Sequence, residues 1–127
     1  MNVVLWILQV LLALAFLAHG WLFLAPPPEV AVQMNANLPR WFQLFLGVAE
    51  VSAAVGIILP GVTRVLPRLV PAAAARVMIV TPSASVFHLW RHEWSSAGTT
   101  AVLLALATFV AYGRTRLRPI LPRPAAR

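Results

Sequence analysis

The sequence predicts an all-α integral membrane protein, a four-transmembrane-helix bundle with both termini cytoplasmic. Three observations carry this. Four long apolar stretches follow one another, separated by short basic or proline-rich joints. Hydrophobic residues make up 61% of the 127 residues and charged ones only 10%. Soluble domains carry about 25% charged residues, so most of this surface must face lipid. Finally, a run such as Leu11-Leu12-Ala13-Leu14-Ala15-Phe16-Leu17 lacks the period-two alternation of a membrane β-barrel strand. Only helices and closed barrels satisfy their backbone groups in hydrocarbon, so the stretches are helices.

The first span covers residues 3–24, enough for a hydrocarbon core of about 30 Å. It contains Gln9, His19 and Gly20 but no formal charge. We read it as a retained span and not a signal peptide: no Lys or Arg precedes it, and it is too long for a typical signal core. It ends in Ala25-Pro26-Pro27-Pro28, and proline lacks the amide donor a helix needs to continue. In the joint that follows, Glu29 to Asn35 has the pattern of a short interfacial helix, with Val30, Met34 and Leu38 at helical spacing. The second span, 41–59, opens on Trp41, where an interfacial aromatic belongs, and Pro60-Gly61 is expected to stop it. The third, 69–90, has Pro71 in its first turn and Pro82 inside. Pro82 should kink the helix and free a carbonyl one turn earlier, a group that Thr81, Ser83 and Ser85 are placed to re-satisfy. The fourth, 95–113, lies between Trp94 and Arg114. Residues 1–113 thus form the transmembrane domain. Residues 114–127 read as a basic, proline-rich, disordered cytoplasmic tail.

The net charge of +7 is carried by arginine alone, since the chain has no lysine. With four spans, both termini share a side with the joint between spans two and three. That side holds Arg64, Arg68, Arg114, Arg116, Arg118, Arg123 and Arg127; the other holds Arg40 and Arg91. Positive charge stays in the cytoplasm, which sets the orientation. The expected location is a bacterial inner or plasma membrane. Arginines placed between apolar segments are topology signals, and no nucleic-acid partner is expected. The absence of cysteine excludes a disulfide scaffold, a thiolate-held cluster and thiol redox chemistry by this chain.

Glu50 is the most informative single residue. It lies near the middle of span two, where an ionised carboxylate costs about 3 kcal/mol unless paired. Two readings are open: a pin that holds two helices in register, or a proton-handling or ligand-binding group. His19, in the outer third of span one, and His88, at the outer end of span three, could line a polar pocket with it. Two histidines and a carboxylate are also metal-type donors. No short-spaced ligand pair is present, so no metal is predicted. Arg76, inside span three, has two fates open to it. It pairs with Glu50 at similar depth, or it snorkels to the cytoplasmic phosphates. Gly47, Ser52 and Gly56, with Ala49 and Ala53, are small residues at helical spacing, which let helix backbones approach. They mark span two as a helix–helix contact.

Several pieces recur in order: Ala18-His19-Gly20, then Leu38-Pro39, Phe45-Leu46-Gly47-Val48-Ala49-Glu50, Ile58-Leu59-Pro60, Val86-Phe87-His88-Leu89, and Tyr112-Gly113-Arg114 before Leu117-Arg118-Pro119. In this order the chain resembles the DoxX-like family of small four-helix membrane proteins over about residues 4 to 119. That family is named after a subunit of a membrane thiosulfate:quinone oxidoreductase, and most members have no assigned activity. The resemblance implies a four-helix membrane protein and a link to quinone or redox complexes, with no known catalytic set. The family's glutamate and span-three histidine positions match as Glu50 and His88. Thr81-Pro82-Ser83 and Arg76 depart from its usual apolar or small residues.

The function expected is a non-catalytic accessory or interaction subunit of a membrane complex, in contact with the bilayer and with other subunits or further copies of itself. The alternative is a membrane subunit of a quinone-linked oxidoreductase. Glu50, His19 and His88 would then be the titratable groups, because quinone reduction takes up protons. Trp21, Trp41 or Trp90 would pack on the ring, although interfacial anchoring accounts for them equally. No haem or cluster ligand set is evident, so the chain would not move electrons alone. No cofactor is predicted from the residues; a quinone is what the alternative requires. Transport ranks last, because four helices are few and no inverted repeat is visible.

Overall fold

A computed structural model describes residues 2–124; Arg127, one of the arginines expected on the cytoplasmic side, lies outside the described residues. The order is α1 (Asn2–Leu24), α2 (Pro28–Asn37), α3 (Arg40–Thr63), α4 (Leu69–Trp90) and α5 (Trp94–Tyr112), continued by a π-helical turn, Gly113–Leu117. Four of these helices are long and apolar enough to cross a membrane: α1, α3, α4, and α5 with its turn. The chain is a multi-pass membrane protein.

The short α2 starts on Pro28 with Glu29 in its first turn. Proline fits there because the first helical amide has no partner to lose, and an acid favours the positive end of the helix dipole. None of the residues in α2 is buried.

One proline expectation is corrected by the coordinates. Pro60-Gly61 does not stop α3, which continues to Thr63 and ends with Arg64 in the left-handed region at φ 57°. Both residues are buried, and a Cβ on Gly61 would stand 2.9 Å from the Trp6 ring. Neighbouring side chains cover the helix where proline removes its bond, which is how membrane helices tolerate proline. Pro82 lies inside α4, as the sequence places it. Around it, Thr81 Oγ1 donates to Val77 O at 2.7 Å, and Ser85 Oγ lies 3.0 Å from Thr81 O and 2.8 Å from Thr100 Oγ1 on α5.

In the bundle α1 packs chiefly on α3 and α4 chiefly on α5, while α3 and α4 touch less extensively. The core joins Leu12 and Phe16 of α1, Ala53, Ala54 and Ile57 of α3, Val77 of α4 and Ala107 of α5. Alanines between the larger side chains allow close approach, the main source of helix association in lipid. Of the predicted contact residues, Gly47 and Gly56 do face neighbouring helices: a Cβ on Gly56 would meet Ala73 of α4 at 3.0 Å. Ser52 is exposed and turns its hydroxyl back to Val48 O at 2.6 Å. Outward-facing residues such as Val3, Ile79 and Val102 are apolar and exposed, as a lipid face requires. Trp21, Trp41, Trp90 and Trp94 are exposed where α1 and α4 finish and α3 and α5 begin. They form the aromatic belt of one interface.

At the opposite end the start of α1, the α3–α4 connection and the segment after α5 converge, with Arg123 N–H donating to Arg64 O at 3.1 Å. The boundary predicted at 113 moves here. The π-helical turn carries the helix to Leu117, and Arg114 is only 3% exposed. Gly113 makes this fit, because any Cβ at that position would collide with Leu5 of α1.

Candidate functional site

Gly20 on α1 and Gly47 on α3 face each other. A Cβ on Gly47 would lie 2.9 Å from Gly20 O; one on Gly20 would lie 3.0 Å from both Gly47 O and Glu50 Cβ. This approach is open to glycine and to little else. His19 precedes one glycine, and Glu50 follows the other by about one helical turn. The glycine contact therefore sets the two polar side chains against each other, with His19 Nδ1 2.7 Å from Glu50 Oε2. The Glu50 side chain is 16% exposed and that of His19 55%. Phe23, one turn further along α1, meets the imidazole edge-on at 5.0 Å between ring centroids.

Either an imidazolium N–H donates to the carboxylate or the carboxylic O–H donates to the neutral imidazole nitrogen. Both arrangements hold the same number of protons and are neutral overall, which hydrocarbon favours over any net charge. The pair can store one proton and hand it across a single hydrogen bond.

His88 is not part of this pair. Its Nδ1 lies 2.7 Å from Glu93 Oε2, and Arg91 Nε donates to the other Glu93 oxygen at 2.7 Å. The three-residue pocket read from the sequence is thus two separate clusters. Glu93 stands just before α5 and closes the tight turn after α4, so it reaches His88 first. This turn lies outside the spans. Hydrogen bonds from Arg91, then from His88, hold the Glu93 carboxyl below its ordinary value of 4.5. Arg91 also reaches Asn37 Oδ1 at 2.7 Å and so ties α2 to the end of α4. Arg76 is exposed and makes no ion pair among the described residues. The partner of Glu50 is His19.

Two further clusters escaped the sequence reading. Arg40 caps the end of α1, donating to Phe23 O at 2.9 Å and Leu24 O at 2.8 Å, carbonyls that a helix terminus leaves without partners. The buried Gln43 beside it donates to Asn35 Oδ1 and Leu38 O and joins α2 to α3. At the other end, Gln9 donates to Ile57 O at 2.8 Å and accepts from Arg114 Nε. A lone amide in an otherwise apolar first span was the available signal for Gln9. Among the described residues no three His, Cys, Asp or Glu side chains converge as a metal site would.

The model of the DoxX-like family matches residues 7–110, a stretch that includes His19, Gly47, Glu50 and His88. No curated protein and no solved structure matches the chain.

Proposed function

We propose, from the premise that this chain belongs to the DoxX-like family, that it is a non-catalytic accessory or interaction subunit of a membrane complex. One observation carries the reading: a half-exposed imidazole at span depth, held at 2.7 Å by the largely covered Glu50. Bound this way, Glu50 pins α1 to α3 within the chain. The second ring nitrogen of His19 remains available from outside the bundle. A polar group facing lipid is costly unless something accepts its hydrogen bond, and a helix of a neighbouring subunit supplies such a group. We further propose that the arginine-rich end lies in the cytoplasm. Reporter fusions at the carboxyl end should read out cytoplasmic; an external readout overturns the orientation.

The same exposed ring favours a second reading, a quinone site of a redox complex. A quinone carbonyl approaching from the membrane would accept a hydrogen bond from His19, with Glu50 resupplying its proton. Electrons would come from another subunit. The test is mild purification from membranes, with identification of co-isolated proteins and quinones for the parent, His19→Ala, Glu50→Gln and His88→Ala. On the accessory reading the first two variants lose thermal stability and the co-isolated subunit, whereas His88→Ala keeps both. On the quinone reading His19→Ala and Glu50→Gln stay folded and lose quinone. Variants indistinguishable from the parent in all respects overturn both readings.

A further inference from the structure

The end of the bundle opposite the tryptophan belt holds an excess of buried positive charge. Arg114 is 3% exposed. Its Nε donates to Gln9 Oε1, and its Nη1 donates to Asn2 Oδ1 at 2.7 Å and to Arg118 O at 3.3 Å. The guanidinium lies 5.0 Å from the centre of the Trp6 ring. Its Nη2 is buried with no hydrogen-bond partner among the described residues. All its partners are neutral, whereas a buried charge ordinarily needs an opposite one.

Among the described residues no side chain supplies that opposite charge here. The chain has three acidic residues. Glu50 is taken by His19, Glu93 by His88 and Arg91, and Glu29 lies on α2, beyond the far end of α1. The charged side chains that line the space beside Arg114 are further arginines. Arg114 lines two cavities of about 260 and 250 Å³. Arg68 borders the first and Arg64 the second. Pro119 and Ile120 wall both, in the strap held by Arg123 on Arg64 O. The described side chains leave this space open to an anion from outside the chain.

We propose that this end binds a phosphate-type oxyanion, cradled by Arg64, Arg68 and Arg114. Guanidinium groups match phosphate oxygens with paired, charge-assisted hydrogen bonds. The source is the headgroup of an anionic phospholipid or free phosphate. The apolar walls, Trp6 and Ile120 among them, suit the glycerol and first acyl carbons of a lipid. The proposal concerns a different end of the bundle from the His19–Glu50 pair and does not depend on its role.

The experiment uses the full chain in mild detergent, with native mass spectrometry in the presence of dioleoyl phosphatidylglycerol or dioleoyl phosphatidylcholine. Thermal shifts with inorganic phosphate run alongside. The variants are Arg114→Gln and the double variant Arg64→Gln/Arg68→Gln. The double variant keeps the test open if Arg114→Gln does not fold, since both its residues are exposed. Retained phosphatidylglycerol exceeding phosphatidylcholine, weakened about five-fold per arginine removed, supports the site with lipid as its source. A phosphate-induced rise in melting temperature that the double variant lacks, without lipid preference, supports the site with free phosphate as its source. Equal phosphatidylglycerol binding by the parent and the double variant, or no response to either ligand, overturns the proposal.

Discussion

Replacing Gly47 with alanine should destabilise the bundle by about 1 kcal/mol, and the balance can be worked from the contact. The new Cβ would lie 2.8 Å from Leu24 and 2.9 Å from Gly20 O, whereas ordinary contact begins at 3.4 Å. Leu24 can rotate away, but the carbonyl is backbone, so α1 and α3 must separate by about 0.5 Å. Overpacking of this kind costs about 1–3 kcal/mol. Alanine recovers about 1 kcal/mol through its better helix propensity. Gly98 on α5 is the control, because a Cβ there meets nothing within 4 Å. Gly98→Ala should therefore gain up to about 1 kcal/mol by propensity alone. The assay is denaturant unfolding in detergent followed by tryptophan fluorescence. Separation also stretches the His19–Glu50 contact from 2.7 Å toward the limit of about 3.2 Å for a good hydrogen bond. Gly47→Ala and Glu50→Gln should then be non-additive by about 0.5 kcal/mol or more. A Gly47→Ala protein as stable as Gly98→Ala, or additive with Glu50→Gln, refutes the claim that the glycine contact positions the pair.

Three other outcomes are expected. Gln9→Leu removes the acceptor for Arg114 Nε and the donor to Ile57 O and should cost about 2–3 kcal/mol in the same unfolding assay, because a buried charged donor is left without its partner. Gln9→Glu, which restores an acceptor and adds the missing opposite charge, should cost less. Ser85→Ala breaks the link to Thr100 between α4 and α5 and should cost about 0.6 kcal/mol, the usual worth of such a bond in a membrane protein; Thr100→Ala on top of it should add little. The Glu93 carboxyl titrates below 4.5 in the folded chain. Its contribution is therefore complete above that pH and is lost as the pH falls through the lowered folded value. Hydrogen exchange at the start of α5 should quicken below about pH 4.5 in the parent. A response that persists in Glu93→Gln contradicts this assignment.

The spans were legible because bilayer thickness and backbone hydrogen bonding leave few solutions for an apolar run of about 20 residues. The glycines of α3 were legible for a related reason: small residues at helical spacing have few uses in lipid other than close packing. Pro60-Gly61 misled because the cost of a proline depends on what covers it, here Trp6 and other side chains from distant segments. Glu50 was recognisable as needing a partner. The choice of His19 over Arg76 follows from which face of each helix meets α3, a matter of packing. His88 went to Glu93 because a tight turn brings the two together at once. Arg114 was read as a topology charge, since counting arginines assumes that they stay in water. Its burial depends on Leu5 entering the space that Gly113 leaves.

The unequal packing of the helices has a mechanical consequence. The thin seam between α3 and α4, where Gly56 meets Ala73, separates two tighter leaves, α1 with α3 and α4 with α5. Clasps cross between the leaves at each end: Arg91 to Asn37 at one, Arg114 to Gln9 and Arg123 to Arg64 at the other. Local opening favours the least-packed boundary, so amide exchange is expected to be faster along the α3–α4 seam than within either leaf.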